Sequence, residues 1–517
     1  MSTLSRADVS ELLRLLWPTT DDGTSDDSKR WYKQGFDLQA LPSFPLGLVQ
    51  EYGGPCGVLA AVQAEMLRLF LFAPHHRQAI NARDIDLHEL IERDQVAHDE
   101  EARRQLLAEA MASLLMQCAN DDGAVRVVVQ DKELTYRETI VYVLEADASQ
   151  LLVGILLCEM PAFCSPHGVI NFTYSVLRTK GVAVVRSEMD DSTSSLTGAF
   201  GHCTQELVNL LLTGQAVSNV FDGAVPLGES GLFLRGIPQQ ARIGYLTHLE
   251  ALQYCQVGSY YKSPQFPVWV IGSSSHFSVG FSLDVQVSEE SISTKLYQKV
   301  RRVFKQFDSM ETGFIKTTSL ATSLKQLGIE ADIFSSERCM ARLVSRLEIS
   351  SNAGIVVWED YWIVISVLLY TNDFELALSG EYETDDIKSA RQGIDRSDAN
   401  PTRQSNGVSE GNPSCPVRVS SQSSSSETMA IPRVAFDFFY YNGLRSSSDS
   451  QTNGRCPQLS KCRVEFQKLP EFIGKSVPIE NVRTSAGHDS LMLDEILRTK
   501  WPHAQIEWLS SSVPKID

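Results

Sequence analysis

The chain has 517 residues, a formal net charge of −18 and a hydrophobic fraction of 43%. This length predicts more than one folded unit, and the composition is that of an ordinary globular protein. The negative charge argues against a nucleic-acid binder and allows a cationic protein partner. Asp8 and Glu11 interrupt the first apolar pattern, and no apolar run is long enough to cross a bilayer, so we expect neither a secretory signal nor membrane insertion. We therefore expect a cytosolic or nuclear protein.

The cysteine pattern predicts no structural metal. Ten cysteines are present, and none belongs to a Cys-x-x-Cys pair. Cys158 and Cys164, like Cys456 and Cys462, are spaced differently from the ligands of zinc knuckles, and no histidine pair stands beside them at ligand spacing. We expect reduced thiols, no metal and no cofactor.

The first predicted element is a capped helix. Ser5 and Asp8 match a capping box ahead of an apolar helical pattern that Pro18 ends. An acidic loop then leads to an aromatic cluster at residues 31–36, which could line a cleft or belong to the core.

The segment from Gln50 to Cys56, followed by an apolar helical pattern at 57–72, carries the clearest chemical signal. The Gly-Gly-Pro sequence before Cys56 allows a sharp turn into a helix, so Cys56 is predicted at a helix N-terminus. The positive end of the helix dipole stabilises a thiolate there. Cys56 is thus a candidate nucleophile, with Gln50 as a possible oxyanion donor. The alternative is a small buried residue that opens a core helix.

Helical and strand patterns follow in turn. Residues 77–107 form a charged, predominantly helical pattern. Residues 125–129, 138–144 and 151–157 are predicted to be strands because of their β-branched content and polar boundaries.

An acidic cluster, Glu188 to Asp191, precedes a Ser/Thr/Gly-rich loop and a predicted helix from Gln205 to Leu212 that Gly214 ends. Such residues are usually solvated caps. The alternative is a contact for a cationic partner, and Asp190 and Asp191 are the candidates for it.

The pattern changes again between residues 244 and 283. An amphipathic helix is predicted at 244–255 and a buried strand at 266–271. In the strand that follows, alternation places His276 on a polar face with Ser278. His276 could act as a base at the edge of a cleft, or it could be a hydrogen-bonded structural histidine.

Residues 286–370 are interpreted as a helical insertion. The segment Asp308–Ser319 has the frame of an EF-hand loop, with an acid at its first position and glycine at its sixth. Met310 replaces the oxygen ligand of the third position and Ser319 the bidentate carboxylate of the twelfth, and a second relic at 349–360 begins with Ile349. We expect a calcium-independent module, and the alternative is a calcium-dependent interaction protein.

Residues 371–430 are predicted to be a disordered linker, because from Asp385 to Ala430 no Phe, Trp, Tyr or Leu is available to bury. Strands are predicted at 434–444 and 462–469, and a helix, a Trp-Pro break and a strand across 491–508. The catalytic unit would then be discontinuous, with residues 1–285 as its first part and 431–517 as its closing part.

A set of motifs between about residues 30 and 510 resembles a known family. They are Gly-Gly-Pro-Cys-Gly-Val-Leu-Ala-Ala-Val-Gln at 53–63, Glu-Leu-Val-Asn-Leu-Leu-Leu-Thr-Gly at 206–214, Ala-Val-Ser-Asn-Val at 216–220, Cys-Gln-Val-Gly-Ser at 255–259, Phe-Pro-Val-Trp-Val at 266–270, Ser-His-Phe-Ser at 275–278, Tyr-Tyr-Asn-Gly-Leu at 440–444 and Arg-Thr-Lys-Trp-Pro at 498–502. This set resembles the MINDY deubiquitinases, in the branch with an EF-hand-like insertion.

The resemblance implies an α+β fold related to papain-like cysteine proteases and hydrolysis of lysine-48-linked polyubiquitin. It implies Cys56 as nucleophile, His276 as general base and Gln50 as oxyanion donor. Polyubiquitin would be the partner of a monomeric enzyme, and a catalytically idle polyubiquitin-binding adaptor is the alternative. The third catalytic group stays open: Ser278 shares a strand face with the histidine, Asp284 follows it, and Asp437 lies in a returning strand.

Overall fold

The computed structural model contains both helices and sheets, in agreement with the predicted α+β class. Predictions for Met310 and for residues 398–430 lie outside the described residues. Within the described ranges, no helix combines the length and apolar character that a membrane span needs. The structure describes residues 2–18, 23–38, 44–81, 86–131, 135–143, 147–227, 231–308, 312–350, 352–380, 382, 384–397, 433–445, 457, 459–467, 472–475, 491–509, 514 and 516.

Helices form most of the regular structure. They are α1 (Arg6–Leu16), α2 (Asp26–Lys33), α3 (Cys56–Leu71), α4 (Pro74–Asn81), α5 (Leu87–Arg93), α6 (Glu100–Cys118), α7 (Ala148–Cys158), α8 (Met160–Phe163), α9 (Gly168–Lys180), α10 (Val182–Glu188), α11 (Gln205–Thr213), α12 (His248–Ala251), α13 (Ser259–Lys262), α14 (Ile292–Phe307), α15 (Leu320–Leu327), α16 (Ala331–Phe334), α17 (Glu337–Leu347), α18 (Trp358–Thr371), α19 (Phe374–Ser379), α20 (Thr384–Ser397) and α21 (Met492–Lys500).

Among the described residues, the strands belong to four sheets. They are β1 (Ser2–Thr3), β2 (Ala124–Gln130), β3 (Tyr136–Tyr142), β4 (Ala224–Pro226), β5 (Phe233–Arg235), β6 (Gly244–Thr247), β7 (Val268–Gly272), β8 (Phe277–Phe281), β9 (Phe314–Lys316), β10 (Ile355–Val357), β11 (Arg433–Tyr441), β12 (Leu459–Gln467) and β13 (Gln505–Trp508).

The chain divides into two compact units. One contains residues 1–290, 434–466 and 482–517, and the other contains residues 291–433 and 467–481. The first unit is therefore discontinuous in sequence. The second includes a short late segment, 467–481, that the sequence patterns assigned to the closing part of the catalytic unit.

A six-stranded sheet organises the first unit, in the order β13-β12-β11-β8-β7-β6. The strands β7 and β8 are antiparallel neighbours, and β11 pairs antiparallel with β8, with Tyr440 opposite Gly280. Strands from before and after the long internal segment thus lie side by side. The helix α3 packs on β7 and β8, and 14 of its 16 residues are buried.

Two sequence predictions in this unit are wrong. Residues 151–157 lie in helix α7 rather than in a strand. A short apolar run fits a buried helix as well as a buried strand, and its length alone cannot separate the two. Residues 244–255 begin with strand β6, in which all four residues are buried, and continue as the short helix α12.

The second unit contains two helix–loop–helix pairs. The loop after α14 leads through β9 to α15, and the loop after α17 leads through β10 to α18; Ile315 of β9 lies opposite Val356 of β10. In the first loop, the Asp308 carboxylate accepts hydrogen bonds from the Thr312 and Gly313 amides at 2.8 and 2.7 Å. In the second, Glu348 accepts from the amide of Gly354.

The prediction of disorder from residue 371 is wrong for α19 and α20, which lie within 371–397. Ile387 in α20 is 3% exposed and belongs to the core of the second unit. The Arg391 guanidinium lies 5.3 Å from the ring centre of Tyr370. One aliphatic side chain and one cation–π contact therefore anchor a helix whose composition alone predicted no core.

Candidate active site

Cys56 is the first residue of α3, as predicted. Its side chain is buried, and its Sγ lies 3.7 Å from the carbonyl oxygen of Gly54. Pro55, at the cap position, provides no side-chain hydrogen bond to the helix. The cap residue therefore accepts none of the first backbone N–H groups of α3 through a side chain, and the helix dipole favours negative charge at this end.

The turn before Cys56 requires glycine at position 54. Gly54 has a φ of +119°, and an added Cβ would lie 2.6 Å from Nε1 of Trp31 and 3.0 Å from the carbonyl oxygen of Gly201. Trp31 Nε1 donates to that same carbonyl at 2.8 Å. At Gly53, by contrast, a Cβ would meet nothing within 4 Å. Only one of the two glycines is thus fixed by conformation and packing.

Two buried glutamines hold the segment that leads into the turn. Gln34 accepts from the amides of Glu51 and Tyr52 at 2.9 and 3.2 Å, and it donates to the carbonyl of Val49 at 3.2 Å. Gln63 of α3 accepts from the amide of Leu48 at 2.6 Å. The sequence analysis missed both side chains, because a glutamine beside an aromatic cluster or inside an apolar helix carries no distinctive spacing.

Gln50 is buried within this segment. Its backbone N–H donates to the carbonyl of Gly443 at 2.8 Å, and its carbonyl accepts from the Arg445 amide at 3.0 Å. Its side-chain Nε2 donates to the carbonyl of Tyr52 at 2.8 Å. The amide nitrogen is therefore oriented by the turn itself, and it carries a second hydrogen that can be donated.

His276 immediately precedes β8 and is 5% exposed. Its backbone is held by Ser273, whose Oγ accepts from the His276 amide at 3.0 Å. Its Nε2 lies 3.0 Å from the carbonyl oxygen of Asn442. Because a carbonyl only accepts, Nε2 carries the proton in this contact, and Nδ1 carries the lone pair of the neutral ring.

One narrow crevice is lined by two of the predicted catalytic residues, Cys56 and Gln50. Its lining includes Gln50, Cys56, Ser278 and Asn442. Phe277, the residue after His276, also lines it. The fold therefore gathers the turn, the start of α3, the histidine strand and the end of β11 at one place, although these segments lie more than 380 residues apart in sequence at the extreme.

The three candidates for a third catalytic group have other partners. Ser278 donates to the carbonyl of Ile271 at 3.3 Å, and Asp284 caps the 3-10 helix that follows it. Asp437 forms ion pairs with Lys461 and Arg463 at 2.8 and 2.9 Å. The group seen on the imidazole is the Asn442 backbone carbonyl, which residue identity cannot reveal.

A second thiol lies beside the turn. Cys203 is buried, and its Sγ lies 3.6 Å from the same Gly54 carbonyl that Cys56 approaches. A Cβ added at Gly57 would lie 2.9 Å from the Cys203 Cβ, so glycine at 57 allows this close packing. Burial, followed by the neighbouring Cys56, raises the pKa of the Cys203 thiol well above its ordinary value. Cys203 therefore remains protonated at neutral pH.

An exposed aromatic residue stands next to the turn. Phe200 is 72% exposed and has a φ of +57°, which is unusual for a bulky side chain. Arg30 donates to the carbonyl of Phe200 at 2.7 Å and to that of Gly53 at 3.2 Å. The guanidinium thus ties this backbone to the turn that carries Cys56.

The acidic pair, Asp190 and Asp191, is exposed, and its hydrogen-bond partners lie outside the Cys56 crevice. Asp190 accepts from the side chain of Asn219 at 2.7 Å. Asp191 accepts from Thr193 and Ser194 within its own loop, and these hydrogen bonds lower the pKa of its carboxyl. Neither lines the Cys56 crevice, so their role as substrate contacts stays a prediction.

Comparisons with known proteins bear on the same part of the chain. A family model described as "Deubiquitinating enzyme MINDY-3/4, conserved domain" matches residues 21–301. The "Ubiquitin carboxyl-terminal hydrolase MINDY-3" of Bos taurus and that of Homo sapiens are each 33% identical over 360 residues, covering 63% of this chain and 76% of the relative. The "Probable ubiquitin carboxyl-terminal hydrolase MINDY-4" of Mus musculus is 37% identical over 284 residues, covering 52% of this chain and 36% of the relative.

No solved structure gives a significant match. The matched range includes the turn, Cys56 and His276, and it spans more than half of the chain. The chain therefore belongs to the MINDY-3/4 family of deubiquitinating enzymes.

Proposed function

We propose that this chain is a thiol-dependent deubiquitinase that hydrolyses isopeptide bonds in lysine-48-linked polyubiquitin. The observation that carries the proposal is the single crevice in which Cys56 and Gln50 meet the strand that follows His276. The names of the relatives, ubiquitin carboxyl-terminal hydrolases, support ubiquitin as the substrate. The lysine-48 linkage rests on the resemblance of the motifs.

The reaction would use Cys56 and Gln50 of this crevice together with His276. The Cys56 thiolate attacks the isopeptide carbonyl carbon, and His276 holds the thiol proton on Nδ1 and passes it to the departing lysine amine. Gln50 Nε2 and the Cys56 backbone N–H donate to the oxyanion. Water then attacks the thioester with His276 as base, which releases the ubiquitin carboxylate and restores the thiol.

The arrangement is consistent with a relative of papain-like proteases. A thiol starts a buried helix that packs on strands β7 and β8, and the histidine immediately precedes β8. The Asn442 carbonyl fills the orienting position on the imidazole. A backbone group in that position keeps the ring in the tautomer that the reaction needs.

The experiment that tests the proposal is capture by a ubiquitin whose C-terminus carries an electrophile. An aligned thiolate forms a covalent adduct, whereas the alternative, a catalytically idle polyubiquitin-binding adaptor, binds chains without one. Cleavage of a panel of chains of defined linkage then tests the lysine-48 preference. Equal cleavage of all linkages would overturn that part alone.

The substrate tail would approach the turn beside Phe200, the exposed ring that Arg30 ties to Gly53. We also keep Asp190 and Asp191 as proposed contacts for the cationic side chains of that tail. Replacing both with Asn should slow ubiquitin capture without slowing alkylation by a small thiol reagent. If the double variant captures ubiquitin at the wild-type rate at both low and physiological salt, the two carboxylates only cap their loop and do not contact the substrate.

The second unit would be a degenerate, calcium-independent EF-hand pair. Its paired strands and its two loop glycines with positive φ, Gly313 and Gly354, support this interpretation. Asp308 is already hydrogen-bonded to loop amides; in the second loop Ile349 occupies the first ligand position, and the preceding Glu348 is hydrogen-bonded to the Gly354 amide. Titration calorimetry should detect no micromolar calcium binding.

We further propose that the enzyme is monomeric and acts in the cytoplasm or nucleus, without binding nucleic acid or membranes. Its net charge of −18 supports the absence of a nucleic-acid partner. Light scattering after gel filtration tests the monomeric state, and imaging of the tagged chain in cells tests the location.

A further inference from the structure

Three metal-ligating side chains meet in the first unit, beyond the end of α3 that is remote from Cys56. His75 and His76 lie in the first turn of α4, and Asp94 caps a 3-10 helix at 95–97. One ligand atom from each lies within 4.8 Å of the other two. We propose that these residues form a binding site for a divalent transition-metal ion of the zinc class.

The hydrogen bond on His76 gives the first argument. Its Nδ1 lies 2.8 Å from the carbonyl oxygen of Phe70, so Nδ1 carries a proton. Its Nε2 lies 3.1 Å from Oδ2 of Asp94. In the neutral ring, this contact would place a nitrogen lone pair against a carboxylate oxygen. A metal ion bound between the two atoms would accept both lone pairs and remove this opposition.

The distances fit a metal ion. Zinc bonds of about 2.0–2.1 Å to nitrogen and oxygen place tetrahedral ligand atoms about 3.3 Å apart. Asp94 Oδ2 lies 3.1 Å from His76 Nε2 and 3.6 Å from His75 Nε2, on either side of that value. The His75 side chain is 68% exposed, so a small rotation can bring its nitrogen into the first shell.

The groups around these ligands are those that metal sites use. The Phe70 carbonyl fixes the tautomer of His76, and Asp94 Oδ1 accepts from the Val96 amide at 2.9 Å. Such outer hydrogen bonds orient ligands and strengthen binding. Two imidazoles and one carboxylate select zinc, cobalt, nickel or copper over calcium and magnesium, and water from the solvent side completes the four positions.

The site is separate from the proposed catalytic centre. Phe70 lies 14 residues after Cys56 in α3, which corresponds to about 21 Å along the helix. A bound ion would connect the segment that follows α3 to the segment between α5 and α6. Its role would therefore be structural, since it would fix how the C-terminal end of the Cys56 helix is anchored. The sequence did not indicate it, because Asp94 is 18 residues from His76 and no familiar spacing joins them.

The test is cobalt binding to the full-length, chelator-stripped protein, followed by competition with zinc. We expect one cobalt ion per chain, with visible d–d absorption of a four- or five-coordinate ion and without a cobalt–thiolate charge-transfer band. His75→Ala and Asp94→Asn should each weaken binding at least tenfold. His75 is exposed, and Asn at 94 can still accept from the Val96 amide, so both variants should remain folded.

The matched control is His88→Ala. His88 is an equally exposed histidine whose Nδ1 lies 3.4 Å from Glu92, outside the cluster. It should bind cobalt like the wild type. Unchanged binding in His75→Ala and Asp94→Asn, a thiolate band, or no stoichiometric binding at micromolar cobalt would each overturn the proposal and leave His76 as a protonated ion-pair partner of Asp94. Zinc should also raise the unfolding temperature of the wild type and of His88→Ala, but not that of the two ligand variants.

Discussion

At the scale of single residues, the site depends on amide and carbonyl groups as much as on the thiol and the imidazole. Gln34 and Gln63 hold the segment around Gln50, and the Asn442 carbonyl holds His276. These hydrogen bonds matter because a buried donor or acceptor without a partner would destabilise the segment. The turn before Cys56 is therefore fixed before any substrate arrives.

The first prediction concerns the reacting groups. Cys56→Ala should abolish chain cleavage while retaining chain binding, because it removes the nucleophile and only one small side chain. His276→Ala should be nearly as damaging. Gln50→Ala should keep residual activity, lower by about 10²–10³, because one oxyanion donor is lost and the Cys56 N–H remains. Single-turnover cleavage measures all three, and full activity of Cys56→Ala would contradict the mechanism.

The second prediction concerns Gln34, which contacts the turn without lining the crevice. Gln34→Leu should lower both the unfolding temperature and the rate of ubiquitin capture, because the partly buried amides of Glu51 and Tyr52 lose their acceptor, at about 1 kcal/mol. The control is Gln105→Leu on α6, whose amide bonds to Glu109. A Gln34 variant that captures ubiquitin at the wild-type rate would show that the turn is held by other contacts.

Sequence reasoning found the chemical groups of the site and missed their supports for one physical reason. A helix N-terminus after Gly-Gly-Pro leaves a local pattern, and the structure confirms that Cys56 starts α3. The support of His276 is a backbone carbonyl 166 residues away, and every residue possesses such a group. Only the fold determines which one reaches the imidazole.

At the scale of elements, capped helices and alternating strands were predicted well, and apolar runs without periodicity were not. The capping box of Ser5 and Asp8 is present at α1, and Gly214 ends α11 with a φ of +75°. Strand β8 lies where alternation placed it, and β7 and β11 lie where a buried strand and a returning strand were predicted. The run at 151–157 is the helix α7 because length and composition could not separate the two states.

The third prediction concerns the pairing of β11 with β12. Burial raises the pKa of the Asp437 carboxyl, but hydrogen bonds and charges from Lys461 and Arg463 outweigh it and hold the pKa below its ordinary value. A lowered carboxyl pKa contributes stability that is present above the unfolded pKa and is lost as the pH falls through the folded pKa. Asp437→Asn should therefore lower the free energy of unfolding by about 0.5–1 kcal/mol at neutral pH.

Denaturant unfolding across pH checks this. The difference between the wild type and Asp437→Asn should shrink below about pH 4, where the carboxyl of the unfolded chain is protonated. High salt should also reduce it, because these groups are partly exposed. A difference that is independent of pH would assign the effect to packing.

The fourth prediction concerns α20, the helix found within the predicted linker. Ile387→Ala should destabilise the second unit by about 2–4 kcal/mol, because a buried aliphatic side chain is lost from its core. Deleting residues 398–430 should leave the unfolding temperature unchanged, whereas a deletion that starts at 386 should lower it. Calorimetric scans of the three variants separate these outcomes, and an unaltered Ile387→Ala would mean that α20 does not contribute to the core.

At the scale of the whole molecule, the first unit is assembled from segments on both sides of a long internal stretch. The sequence predicted this discontinuity because the strands after residue 430 have no other sheet to join. It did not predict that residues 467–481 belong to the second unit, where the Lys475 carbonyl accepts from Trp362 Nε1 at 3.0 Å. A short segment such as 467–481, which returns to the second unit, contains too few apolar residues to produce a recognisable hydrophobic periodicity.

The last prediction tests whether the returning strand β11 positions the active-site turn. The Tyr441 hydroxyl donates to the buried carbonyl of Leu48 at 2.9 Å, and the amide of Leu48 is held by Gln63. Tyr441→Phe keeps the ring and removes the hydrogen bond between β11 and the segment before the turn. Tyr361→Phe is the matched control, because it removes one buried hydroxyl bond, to Ser323 at 2.9 Å, within the second unit.

Both variants should lose about 1 kcal/mol of stability, the usual net value of one buried hydrogen bond. Only Tyr441→Phe should slow capture by electrophilic ubiquitin, because only its hydroxyl holds the segment that leads to Gln50 and Cys56. The measurement is the capture rate at a temperature well below unfolding, where both proteins are fully folded. If the two variants capture ubiquitin at the same rate, the Tyr441 hydroxyl stabilises the unit without positioning the turn, and the turn is held by Gln34, Gln63 and the backbone hydrogen bonds of Gln50.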